Sequence, residues 1–258
     1  MNKDTLRQIV NVVAVVLTIA VNGLASTTLL NGKTTGQVSD GIPALFTPAG
    51  YVFSIWGLIY LGLLAFAVYQ ALPSQRENPR LRSVGYIFAL SCLANMAWLV
   101  FWQYEILPVT IVLMLVLLGS LIAIYLRLDV NRTRVPAGER WAVHVPFSIY
   151  LGWITVATIA NAAALLYRLG WTEGGLGISG VAWTVSVLVV AVAIAAAMSL
   201  TRGDVAYLLV LVWAFAGIAV KQTGAPTVVI AAWAAAAAVV VLAVAGFALR
   251  GRRGVQRA

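Results

Sequence analysis

The residues whose types and spacing could do chemistry are aromatic rings and side-chain amides set inside apolar runs. In IPALFTPAGYVFSIWGLIYLGLLAFAVYQ, residues 42–70, Phe53, Trp56 and Tyr60 fall at i, i+3 and i+7, so three rings share one helical face. In SCLANMAWLVFW, Asn95, Trp98 and Trp102 repeat that spacing, and in YLGWITVATIAN, Tyr150, Trp153 and Asn161 fall at i, i+3 and i+11. Aligned rings make stacking surfaces and apolar walls, and an amide on the same face is penalised in hydrocarbon unless it finds a partner. Such faces suit a flat, greasy ligand with a few polar groups. They also suit plain helix packing, an aromatic belt at the headgroups, or interhelical glue.

Other chemistry is poorly represented. No metal-ligand cluster, glycine-rich phosphate loop or nucleophile elbow occurs, and there is a single His. Cys92, the one cysteine, lies in an apolar run, can form no internal disulfide and reads as packing. No acid, base, metal site or nucleophile accompanies the aromatic faces, so catalysis is the least supported class and no cofactor is expected.

The elements that must position these faces are membrane helices. Of 258 residues, 62% are hydrophobic and 10% charged, with a mean hydropathy of +0.96. A soluble core cannot hide that much apolar surface. Weakly charged segments of spanning length run at about 8–30, 49–72, 83–104, 106–126, 142–167, 178–200, 205–220 and 225–249, which predicts an all-α polytopic bundle of eight helices. The breaks carry turn chemistry: Asn31-Gly32, Pro73, Glu105 with Pro108, a charged run at 129–140 with Pro136, Gly174-Gly175, Arg202-Gly203-Asp204, and Gly224 with Pro226.

With the N-terminus in the cytoplasm, 14 of the 17 Lys and Arg residues lie on the inner side, leaving Lys33, Arg168 and Lys221 outside. This asymmetry predicts that both termini are cytoplasmic, and it accounts for the net charge of +9 without nucleic acid. The expected setting is a bacterial cytoplasmic membrane, with the lipid bilayer as partner. The first span reads as an anchor; Lys3, Arg7 and Gly23-Leu24-Ala25 also fit a cleaved leader, for which the apolar run is long. No ionisable residue sits deep in any span, which weighs against ion channels, proton relays and ion-coupled pumps. Lys221, near the outer end of the seventh span, reads as interfacial rather than as a Schiff-base lysine, no buried carboxylate being available to it.

Taken together, the three aromatic segments resemble the TspO/translocator proteins, or tryptophan-rich sensory proteins. Pro48, Ile55, Trp56 and Tyr60 match that family's P-x-W-x-F-x-x-V-W-x-x-L-Y pattern. Leu93, Asn95 and Trp98, then Phe101 and Trp102, match its L-x-L-N-x-x-W followed by aromatics, and Tyr150, Leu151, Trp153 and Asn161 match P-Y-L-x-W followed eight residues later by Asn. The chain departs from the pattern where the loop Trp is Gly50 or Tyr51, where Phe53 is out of register, and where Ile149 replaces a Pro that here stands a turn earlier, as Pro146. The resemblance covers residues 8–168. It implies a five-helix unit at 1–168 with an outer loop at 31–48, and it leaves three further helices and a basic tail at 169–258. It also implies a ligand such as a tetrapyrrole (protoporphyrin) or a sterol, and the homodimers that relatives often form. Porphyrin photodegradation has been proposed for relatives.

At 1.5 Å per residue, Trp56 lies roughly 10 Å and Tyr60 roughly 16 Å below the outer end of the second span, Trp98 roughly 9 Å and Asn95 roughly 13 Å below that of the third, and Trp153 roughly 21 Å below that of the fifth. The faces should therefore converge beneath the 31–48 loop, whose Ile42, Leu45 and Phe46 could fold down as a lid. The expected ligand site comprises Trp56, Tyr60, Asn95, Trp98, Trp102, Tyr150, Trp153 and Asn161, with Phe46, Pro48 and Tyr51 from the loop. A receptor or sensor is the leading reading and a transporter of a hydrophobic small molecule the alternative, although no inverted repeat or pair of broken helices supports transport.

Overall fold

A computed structural model describes residues 2–171 and 177–255, with side chains as far as residue 248. The Gly174-Gly175 break and Arg257 lie outside the described residues. Eight long helices carry the chain: α1 (Lys3–Ser26), α2 (Ile55–Ala71), α3 (Ile87–Gln103), α4 (Leu107–Arg127), α5 (Val145–Arg168), α6 (Gly180–Arg202), α7 (Val205–Lys221) and α8 (Pro226–Val255). Among the described residues, six of them are long and apolar enough to cross a membrane, counting the turns that lead into α2 and α5. The other two, α3 and α7, are apolar helices of 17 residues each; they rise about 25 Å, the short end of spanning length.

Local chemistry sets the boundaries. Pro108 stands in the first turn of α4, where a missing N–H costs nothing, and Pro146 is the second residue of α5. A single turn at Ala137–Glu139 and a π turn at Arg140–His144 lead without a break into α5, so this rod starts before the residue 142 expected from hydropathy. The wide turn falls just before the proline and accommodates its lost donor. The third helix starts at Ile87 rather than near 83, because Gly85 (φ 54°) separates it from a short helix at Pro79–Val84. Gly203 ends α6 in the left-handed region (φ 57°), and the next residue, Asp204, already caps α7 by accepting from Tyr207 N.

The first five helices close a ring: α1 packs on α2 and α3, α3 on α4, α4 on α5, and α5 back on α2. Outside this ring, α7 packs on α5 and makes a three-helix group with α6 and α8. Glycines allow the closest approaches. A Cβ on Gly62 of α2 would meet Pro146 Cβ at 2.9 Å, and one on Gly152 of α5 would meet Tyr207 O at 3.0 Å. The alanine run of α8 is used within the chain, where Ala232, Ala235 and Ala236 are buried. α1 is tied to α2 by reciprocal amide bonds, Gln8 Nε2 to Gln70 O at 2.6 Å and Gln70 Nε2 to Gln8 O at 3.0 Å.

At the end of the bundle opposite the 31–48 loop, Arg82 pairs with Asp4 at 2.6 Å, Arg80 with Glu139 at 2.5 Å and Arg202 with Asp129 at 3.0 Å. Span hydropathy leaves no carboxylate inside the bundle, yet at its rim Glu139 and Asp204 are buried. Both stand at helix starts and have donors. Asp204 Oδ2 accepts from Tyr125 Oη at 2.7 Å and from Ser148 Oγ at 2.6 Å, which joins α4, α5 and α7.

Candidate ligand site

Helices α2, α3 and α5 turn their aromatic faces into the ring, and Trp56 is the centre of the resulting cluster. Its ring stacks on Tyr60 at 5.6 Å, lies 6.2 Å from Trp98, and meets Tyr150 and Trp153 edge-on at 5.9 and 6.2 Å. Trp98 stacks on Trp102 at 5.5 Å, and Phe53 meets Trp153 edge-on at 5.6 Å. Stacked and edge-on pairs are the arrangements that ring quadrupoles favour.

Polar atoms in this cluster are not all satisfied. Trp56 Nε1, Trp98 Nε1, Trp153 Nε1, Tyr60 Oη, Tyr150 Oη and Asn95 Nδ2 are buried with no hydrogen-bond partner. Tyr150 Oη is close to Asn95 but outside hydrogen-bonding geometry. A buried donor left unpaired costs about 1–3 kcal/mol, so six such atoms around one tryptophan make a place where a polar-edged guest gains energy. Asn95 Oδ1 is occupied, accepting from Asn22 Nδ2 of α1 at 3.0 Å.

The connection between α1 and α2 forms a lid over these rings. Thr34 and Gln37 cap one another to open a short helix, Thr35–Asp40. The chain then descends with Ile42 and Phe46 buried and Leu45 half-buried. Trp102 Nε1 donates to Thr35 O at 3.3 Å and Asn31 Nδ2 to Gln103 O at 2.7 Å, so α3 holds the lid from one side. Beside it, Lys33 at 3.0 Å and Arg168 both pair with Glu105 and hold its carboxyl below the usual carboxylate range.

Two cavities flank the lid. One, of about 20 Å³, is bounded by Pro48, Phe53, Trp98, Trp102, Trp153 and Asn161 among others, and has room for about one water. The other, of about 240 Å³, lies between Pro43–Phe46, the end of α5 and the start of α6. Among the described residues, no group of His, Cys, Asp and Glu could hold a metal ion.

A model of the TSPO-like protein family matches residues 8–245. The chain belongs to the TSPO-like protein family. The match extends past the five-helix ring through α6 and α7 into α8. No match was found among curated proteins or solved structures. This TSPO-like protein is an integral membrane protein, and its family carries a ligand-binding, sensing or transport role in the membrane.

Of the residues singled out by spacing in this TSPO-like chain, Trp56, Tyr60, Trp98, Trp102, Tyr150 and Trp153 come together as rings, and Asn95 is buried beside Tyr150. Pro48 and Asn161 line the smaller cavity. Phe46 faces the larger one. Tyr51 is half exposed and meets Trp213 of α7 edge-on at 5.5 Å, outside the cluster. It belongs to a 3₁₀ turn, Gly50–Ser54, whose three residues per turn rotate it away from the face of α2. Residues that spacing did not flag are Asn22, Thr110 and Gln222, while Lys221 reads from sequence as interfacial only. Amides and hydroxyls inside or at the end of apolar helices were the signal available for the first three.

Asn161 differs from Asn95 in being satisfied. Its Nδ2 donates to Thr110 Oγ1 at 3.1 Å, and the Thr110 proton has Asn161 Oδ1 at 3.2 Å or Leu107 O at 2.8 Å to go to. Asn161→Leu is therefore expected to cost only about 0.6 kcal/mol, the average for such interhelical bonds in membranes, because Thr110 keeps its backbone acceptor. A thermal unfolding midpoint in detergent reads this. A loss several times larger would mean that the amide carries more of the α4–α5 contact than the geometry assigns it.

Proposed function

We propose that this protein is a membrane receptor or sensor for a flat, apolar ligand of tetrapyrrole or sterol type, bound between α2, α3 and α5 beneath the lid. The observation that carries this reading is the set of six unpartnered polar atoms around Trp56. Three indole N–H groups, two phenol hydroxyls and an amide would meet carboxylate, pyrrole or hydroxyl groups at a ligand's edge, while the ring faces take its plane. The basic end of the bundle faces the cytoplasm and the lid faces out. With only about 20 Å³ open over the rings, binding requires the lid to lift and at least one indole to swing.

A titration with protoporphyrin, followed by tryptophan fluorescence, tests the reading. Saturable quenching is expected in the native chain, with Kd raised about tenfold in Trp56→Leu and Trp153→Leu, each of which removes a ring contact of order 1 kcal/mol. Linear quenching identical in all three proteins, as partition into micelles produces, would count against the site. Loss of folded yield in both variants would mean that the rings only pack. Transport of a hydrophobic small molecule is the second reading, favoured by the two cavities on opposite sides of one lid segment, and flux in vesicles separates it from sensing.

A further inference from the structure

Lys221 and Gln222, at the last turn of α7, are the points where the three-helix group reaches the lid. Lys221 Nζ donates to Ser39 O at 3.2 Å and to Thr47 Oγ1 at 3.1 Å, and pairs with Asp40 Oδ1 at 3.0 Å. Gln222 Nε2 lies 3.4 Å from Ala44 O and 3.3 Å from Thr47 O. Every partner belongs to residues 39–47. One ammonium and one amide thus tie α7 to a stretch that has no regular structure after Asp40, adding to the local bonds in which Ser39 O accepts from Ile42 N and Ala44 O from Thr47 N and Oγ1.

That stretch is also a partition. Pro43, Ala44, Leu45 and Phe46 form one wall of the 240 Å³ cavity, while Ser39, Thr47 and Pro48 bound the 20 Å³ cavity over the tryptophans. The floor of both is α5, with Ala163 and Tyr167 under the first and Val156, Ala157, Ala160 and Asn161 under the second. The larger cavity reaches the start of α6 at Val181, which is half-buried.

We propose that the cavity between the lid, α5 and α6 is the entry chamber for an apolar ligand arriving from the adjoining leaflet, and that Lys221 and Gln222 latch the partition between this chamber and the aromatic site. Release of the latch joins the two spaces into one site large enough for a polycyclic guest. The inference extends the ligand-site reading, and its test does not depend on porphyrin.

Ser39 is buried against the smaller cavity, so a thiol there reports opening. In a Cys92→Ala background, Ser39→Cys is reacted with N-phenylmaleimide, an apolar probe, in protein reconstituted into lipid. Lys221→Met is expected to raise the labelling rate about tenfold, the equivalent of about 1.4 kcal/mol, while Lys221→Arg keeps the native rate. Val181→Trp, which fills the chamber without touching the ring cluster, is expected to cancel the acceleration when combined with Lys221→Met. Labelling unchanged by Lys221→Met overturns the latch, and acceleration that persists with Val181→Trp overturns the chamber as the route. Elution of every variant as the native species in size-exclusion chromatography separates these outcomes from misfolding. If labelling responds as expected while protoporphyrin fails to saturate, the gate stands and the tetrapyrrole-type ligand falls.

Discussion

Asp204→Ala is expected to lower the stability of the detergent-solubilised protein by about 3 kcal/mol, the sum of a lost helix cap and two orphaned hydroxyls. Asp204 is 1% exposed, caps α7 through Tyr207 N at 3.2 Å, and takes the protons of Tyr125 and Ser148. Alanine removes all three acceptances at once and leaves two buried hydroxyls on α4 and α5 facing a methyl group. Asn at this position keeps the cap through its one oxygen but sets an NH2 donor where Oδ2 took both hydroxyl protons, so Asp204→Asn should lose about 2 kcal/mol. The effects should also be strongly non-additive: Tyr125→Phe, worth about 1 kcal/mol in the native chain, should cost almost nothing once Asp204 is alanine, because its partner is already gone. Thermal unfolding of the two single variants and the double variant checks this. Simple additivity would show that the hydroxyl and carboxylate do not act together.

The second large effect concerns the contact between α7 and the entry to α2. A Cβ at Gly217 would stand 2.2 Å from Val52 Cγ2 and 3.3 Å from Pro48 Cβ, while Gly217 O accepts from Ala49 N at 3.1 Å. Val52 is fully buried and β-branched, so its methyl has little room to turn aside. Gly217→Ala should therefore lose about 2 kcal/mol to overpacking, less about 1 kcal/mol returned by the better helix former. Trimming the opposing side chain decides whether the clash is the cause. Gly217→Ala with Val52→Ala should be more stable than Gly217→Ala alone, although Val52→Ala by itself is destabilising. If the second substitution only adds to the loss, the close approach is not what glycine provides. In the single variant the lid should also loosen, since Trp213 Nε1, one turn before Gly217, donates to Val52 O at 3.1 Å.

Much of this protein is determined by sequence alone, because bilayer thickness and backbone hydrogen bonding leave an apolar chain few choices. The eight helices follow from runs of uncharged residues, and the aromatic faces follow from 3.6-residue periodicity. Residue counts place Trp56 and Trp98 at similar depths, and they meet; the same counts put Trp153 deeper, yet it too packs against Trp56. The lid was legible in a loop too long for a turn that nonetheless carried Ile42 and Phe46.

Tertiary structure decided what depends on partners distant in sequence. Asn95 and Asn161 look alike in their helices, yet one keeps an unpartnered amide nitrogen and the other is satisfied, because Thr110 happens to face it. Tyr51 leaves the cluster because a 3₁₀ turn precedes α2. Asp204, a loop residue by hydropathy, is buried because α4 and α5 converge on it with two hydroxyls. Lys221, read from sequence as interfacial, reaches the lid because α7 packs on α5 and ends beside residues 39–47. Periodicity and length report which face a residue takes; which side chain completes another's hydrogen bond is set only when helices distant in sequence, from 51 residues for Asn161 and Thr110 to 182 for Lys221 and Ser39, come into contact.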